Sequence, residues 1–104
     1  FPSKSVLKRV DSKTLKPWME SGKDFQLVDV RELAEFEEKN LGGILISKST
    51  IPDRLNEISK EKDVVIHCQT GKRSAAVIQF LQEECGFENL YNLEGGIVAY
   101  QSII

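Results

Sequence analysis

Residues 63–86, DVVIHCQTGKRSAAVIQFLQEECG, decide how this chain folds. The run from Asp63 to Cys68 is short, apolar and rich in β-branched residues, as in strands covered on both faces of a sheet. From Lys72 to Cys85 the periodicity changes. Ser74, Val77, Ile78, Leu81 and Cys85 recur at three- and four-residue spacing on one helix face, and Gly86 stands where a capping glycine belongs. A buried strand, a short loop with glycine and two cations, and a long helix are therefore expected in succession.

Outward from this unit the same alternation continues. FQLVDV, Phe25 to Val30, reads as a second buried strand. ILIS (Ile44 to Ser47), NLYNL (Asn89 to Leu93) and VLKRV (Val6 to Val10) carry weaker strand patterns. Helical stretches fall at about Ser12 to Ser21, Glu32 to Lys39 and Pro52 to Ser59, with a last one after Gly95 and Gly96. Pro17 either kinks the first helix or marks its start. The alternation predicts a three-layer α/β domain: a mainly parallel, five-stranded sheet flanked by helices on both faces.

At 104 residues the chain is read as one domain, residues 1–104. It opens at Phe1 and its sole methionine is Met19, which points to a piece of a longer polypeptide or a processed form. A formal net charge of −2 gives no basic surface for nucleic acid or an anionic membrane. No apolar run has the length of a membrane span. Two cysteines make no disulfide scaffold and fit a reducing compartment, the cytoplasm. With one histidine and no Cys-x-x-Cys pair, no metal is expected.

In a parallel sheet, ligands bind beyond the carboxyl ends of the strands, where helices begin. Cys68 falls at that place. The loop Gln69-Thr70-Gly71-Lys72-Arg73 supplies backbone N–H groups at a helix N-terminus, two cations and no acid, all of which favour a thiolate on Cys68. Gly71 permits a tight, left-handed turn that aims N–H groups inward. The loop reads as a cradle for an anion held against a nucleophilic sulfur. The plainer alternative is a small buried hydrophobe, since cysteine often serves as one. Cys85 reads as core. His67, beside Cys68 on a strand, points away from the pocket and reads as a hydrogen-bonded structural histidine. The acidic run ELAEFEEKN reads as a solvated helix face.

Three motifs in order resemble the rhodanese family. LVDVRELAEF, residues 27–36, is similar to the family's L-[IV]-D-V-R-x-x-x-E-[FY] segment. VVIHCQTGKRS, residues 64–74, resembles its active-site strand and Cys-x-x-Gly-x-Arg-Ser loop, and NLEGGIVAY, residues 92–100, its N-L-x-G-G-[IV]-x-x-W ending. The departures are Asn40-Leu41-Gly42-Gly43-Ile44 in place of the usual turn and Tyr100 in place of tryptophan. The resemblance implies a sulfurtransferase that carries sulfur as a persulfide on Cys68. Gln69, Thr70, Gly71, Lys72, Arg73 and Ser74 would hold the substrate, and Asp29, Arg31, Gly95 and Gly96 would support the site. The donor would be thiosulfate or a persulfide-bearing protein, with no cofactor in this domain.

The chain also resembles the rhodanese domain at the C-terminus of adenylyltransferases that activate ubiquitin-like sulfur carriers, in molybdopterin or thiamine synthesis or tRNA thiolation. That resemblance implies a sulfur-carrier partner, and ATP on an upstream adenylation domain. The alternatives are a stand-alone thiosulfate sulfurtransferase, a cysteine-dependent phosphatase or arsenate reductase, and a non-catalytic docking module. Phosphatases of this fold place five residues between cysteine and arginine. Here there are four, Gln69 to Lys72, a ring that suits one sulfur better than a tetrahedral phosphate.

Overall fold

The computed structural model describes residues 8–102. Five strands, β1 (Arg9–Val10), β2 (Phe25–Asp29), β3 (Ile44–Leu45), β4 (Asp63–His67) and β5 (Leu90–Leu93), form one sheet in the order β1-β5-β4-β2-β3. Every pairing is parallel. Four helices complete the domain: α1 (Ser12–Ser21), α2 (Leu33–Glu38), α3 (Lys72–Cys85) and α4 (Gly96–Gln101).

The central strand β4 is apolar on both sides because both sides are covered. Val64 and Ile66 point into one core layer, with Val77, Ile78 and Leu81 of α3. Val65 points into the other, with Leu15 of α1 and Tyr100 of α4. Val64, Val65 and Ile66 are fully buried, which at roughly 1.5–3 kcal/mol per side chain makes this strand the fold's main hydrophobic anchor.

Helix α3 spans the residues its sequence pattern marks, and Gly86 ends it in the left-handed conformation. Asp11 caps α1 by accepting from the Thr14 amide at 2.8 Å. Pro17 lies inside α1 and does not start it. Its ring removes one helix hydrogen bond; the neighbouring Trp18 packs edge-on to Phe25 and Tyr91.

The region read as a helix from Pro52 to Ser59 is instead two 3-10 segments, Lys48–Asp53 and Leu55–Glu57. Tertiary partners take the groups an α-helix would need. The Gln26 side chain donates to the Glu57 carbonyl and accepts from the Ser59 amide, while the segment's own Arg54 side chain ties it to the Leu45 carbonyl. Ile51 and Ile58 still reach the core, which explains the helix-like spacing. Two strands are shorter than read: the edge strand β3 is two residues, and β5, between β1 and β4, begins at Leu90. Of the first expected strand only Arg9–Val10 is extended, while Val6 and Leu7 lie outside the described residues.

Candidate active site

Cys68 immediately follows β4, with its side chain 1% exposed. The chain turns through Gly71, at φ 103°, and enters α3 at Lys72. This turn folds three donors back onto the sulfur. The Gly71 amide donates to Cys68 Sγ at 3.1 Å, the Ser74 amide at 3.4 Å and the Ser74 hydroxyl at 3.5 Å. Burial pushes the thiol up, but the hydrogen bonds from the Ser74 hydroxyl and from the Ser74, Gly71 and Thr70 amides outweigh it, so the pKa lies below its ordinary value. Gln69, Thr70 and Lys72 are exposed around the loop.

The loop is held from below by α4 and β5. The Ile97 amide donates to the Cys68 carbonyl at 3.0 Å and the Val98 amide to the Gln69 carbonyl at 3.2 Å. Gly95 and Gly96, both at positive φ, open this helix. A Cβ on Gly96 would stand 2.6 Å from the Cys68 carbonyl oxygen, so only glycine admits this approach. Buried Asn92 on β5 donates to the Gly71 carbonyl at 3.2 Å, and its Oδ1 competes with Cys68 Sγ for the single proton of the Ser74 hydroxyl.

Asp29 and Arg31 lie below the loop as a buried ion pair. The Arg31 guanidinium donates to both Asp29 carboxylate oxygens, at 2.8–3.1 Å, and to the Lys39 carbonyl. It thereby ties the end of β2 to the far end of α2. His67 is fully buried and shares a face with Asp29: its Nε2 stands 3.9 Å from Asp29 Oδ2 without a hydrogen bond, and Nδ1 stands 3.4 Å from the Cys68 carbonyl oxygen. Burial lowers its pKa, against the pull of the Asp29 carboxylate. The imidazole therefore sits off the sulfur's side of the strand.

A family model described as the Rhodanese-like domain matches residues 11–103. The chain belongs to the rhodanese-like domain family. It is 34% identical over 96 residues to a "Sulfurtransferase" of Allochromatium vinosum, covering 91% of this chain and 89% of that one. It is 33% identical over 94 residues to the "Probable adenylyltransferase/sulfurtransferase MoeZ" of Mycobacterium tuberculosis, spanning 88% of this chain but 24% of that protein. Among solved structures, a rhodanese-like domain protein from Staphylococcus aureus superposes with a TM-score of 0.81 at 35% identity, covering 90% of this chain and 91% of that one.

In this rhodanese-like domain, Cys68, Gly71 and Ser74 converge on the sulfur as a cradle. Arg73 takes a different post. Its two terminal nitrogens donate to the two carboxylate oxygens of Glu35 at 3.0 and 2.9 Å, a bidentate pair between the cysteine loop and α2. Glu35 is therefore not part of a solvated acidic face. The Arg73 guanidinium and the Glu32 amide hold its carboxyl at about 2. Its signal is present in the sequence, since the L-[IV]-D-V-R-x-x-x-E-[FY] pattern has its glutamate at position 35. Asn92, also unforeseen, is a polar residue in a short apolar strand. Cys85 is partly buried against the core, as its helix face requires. Among the described residues no group of three or more His, Cys, Asp or Glu side chains gathers to hold a metal ion, and no helix is long and apolar enough to cross a membrane.

Proposed function

We propose that this domain is a sulfurtransferase that carries a sulfane sulfur on Cys68. One observation carries the reading: the sulfur lies at the foot of a closed loop with three hydrogen-bond donors aimed at it. The Cys68 thiolate attacks the outer sulfur of thiosulfate or of a persulfide donor. A new S–S bond forms, the donor's S–S bond breaks, and its electron pair leaves on sulfite or on a thiolate. The Cys68 persulfide anion is stabilised by the loop amides. A thiophilic acceptor, cyanide or another thiolate, then attacks the outer sulfur and releases the Cys68 thiolate. The hydrogen bonds that lower the thiol's pKa favour its ionised form, and the attack needs no general base once the thiolate has formed. The domain needs no cofactor for either half-reaction.

The likeness to MoeZ over a quarter of that protein's length supports a role in activating a sulfur carrier, with a ubiquitin-like protein as acceptor and ATP used on an adenylation domain. The near end-to-end match to the Allochromatium sulfurtransferase supports the alternative of a stand-alone enzyme. In both cases the free thiols Cys68 and Cys85 suit the cytoplasm.

The test is incubation with thiosulfate followed by intact and peptide mass spectrometry. The expected result is the mass of one added sulfur on Cys68, lost on addition of cyanide with formation of thiocyanate, and absent in Cys68→Ser. Hydrolysis of a generic aryl phosphate should be negligible. Robust phosphatase activity with no stable persulfide would replace this reading with phosphate chemistry.

A further inference from the structure

We propose that Glu35 sets the charge class of the sulfur donor: by occupying the Arg73 guanidinium it makes the mouth of the Cys68 loop electrically neutral, so the site favours singly charged persulfides over dianionic thiosulfate. This rests on the persulfide reading of Cys68. Arg73 is the only arginine of the loop, and a free guanidinium there would be the natural fork for a sulfonate-type group. Each of its terminal nitrogens instead donates to Glu35, which pairs the guanidinium charge.

The carboxylate is held in place for this task. Arg31 fixes α2 at its two ends, through Asp29 before the helix and the Lys39 carbonyl after it. Glu35 also accepts from the Glu32 amide at 2.9 Å, closing a capping box over the first turn. Its position is thus set by two hydrogen-bond systems besides the pair with Arg73. Glu32 lies close enough to act on Arg73 as a second negative charge. In formal charge, Glu32 and Glu35 offset Lys72 and Arg73, with Arg73 directly paired.

The charge count decides the preference. In the thiosulfate reaction, a thiolate and a dianion must meet before sulfite departs, three negative charges in all. With an alkyl persulfide monoanion the total is two, and the leaving group is a thiolate. The loop amides can serve either reaction, but a guanidinium free of Glu35 would lower the extra repulsion of the first.

The experiment compares thiosulfate with 2-hydroxyethyl persulfide as donors, reading persulfide on Cys68 by mass spectrometry and initial loading rates. In the unaltered domain, loading by thiosulfate should not fall as salt rises from about 20 to about 200 mM, since no net positive charge steers the dianion. Glu35→Gln should lower the KM for thiosulfate about five- to tenfold, introduce a fall in loading with salt, and change hydroxyethyl persulfide loading less than about twofold. Glu35→Asp, which shortens the side chain but keeps its charge, should retain the original donor preference. In the double variant E35Q/R73Q the mouth is neutral again and the preference should return. If neither donor loads Cys68, the persulfide reading itself fails. If hydroxyethyl persulfide loads it while Glu35→Gln leaves the thiosulfate KM unchanged, or if Glu35→Asp and Glu35→Gln behave alike, the role assigned to Glu35 is overturned. A steep fall in loading with salt in the unaltered domain overturns it without any variant.

Discussion

At Cys68 two opposed influences meet. Burial disfavours the thiolate, while the Ser74 hydroxyl and three backbone amides favour it, and the second set prevails. The rate of alkylation by iodoacetamide should therefore rise with pH through a midpoint below the free-thiol value of about 8.5. Ser74→Ala removes one donor and should move that midpoint upward, by up to about one unit. An unchanged midpoint would show that the hydroxyl serves only Asn92. This part of the site is legible from sequence because its partners are near neighbours: Cys68, Gly71 and Ser74 lie within seven consecutive residues. The Arg73–Glu35 pair spans 38 residues and the Ser74–Asn92 bond spans 18. The L-[IV]-D-V-R-x-x-x-E-[FY] pattern marks Glu35 as a position, but no local pattern names Arg73 as its partner, and the strand register that decides the pairing is a tertiary property.

Helices α2 and α4 act on the site as elements, each through its first turn. For α2 the measurable consequence is acid sensitivity. Glu35 ordinarily titrates at 4.5 and is depressed to about 2 in the fold. A depressed carboxylate contributes stability that is complete above its unfolded pKa and is lost as pH falls through the folded value. Denaturant unfolding between about pH 4.5 and about pH 2 should therefore show a shallower decline for Glu35→Gln than for the unaltered domain. For α4 the consequence is steric. Gly96→Ala would force a Cβ against the carbonyls of Cys68 and Gln69. Gly71→Ala meets nothing nearer than 3.5 Å and faces only its positive φ. Both should cost at least about 1–2 kcal/mol of backbone strain. Gly96→Ala should lose more stability and also raise the Cys68 midpoint, because the loop must shift. Equal losses from the two substitutions would argue that the contact with α4 yields easily. Helix α3 was readable to its ends because one amphipathic face and a glycine cap coincide there. The Pro52–Ser59 segment carries similar apolar spacing, yet the Glu57 carbonyl and the Ser59 amide are taken by the Gln26 side chain, which lies outside any local window.

The whole molecule is a sheet whose middle is strong and whose edges are slight. Strands β2 and β4 share five register pairs, whereas β1 and β3 each contribute two residues. Native-state hydrogen exchange should find the slowest amides in β4 and the adjoining part of β2, opening with the free energy of global unfolding, and the fastest sheet amides in β3. Comparable protection across all strands would contradict this gradient. Strand–helix alternation and buried β-branched runs made the parallel α/β class legible, because both are properties of consecutive residues. The lengths of the edge strands were not, since an edge residue's pairing depends on how far its neighbour extends.

The chain's first and last strands are neighbours, β1 against β5, and the amides that hold the cysteine loop belong to α4. During synthesis the ribosome therefore releases Cys68 well before the parts that shape its surroundings. At roughly 5–20 residues per second, a few seconds separate the emergence of the thiol from that of α4. For that interval the nascent chain exposes an ordinary cysteine, and the sulfur becomes a selective nucleophile only when residues 90–101 close around the turn.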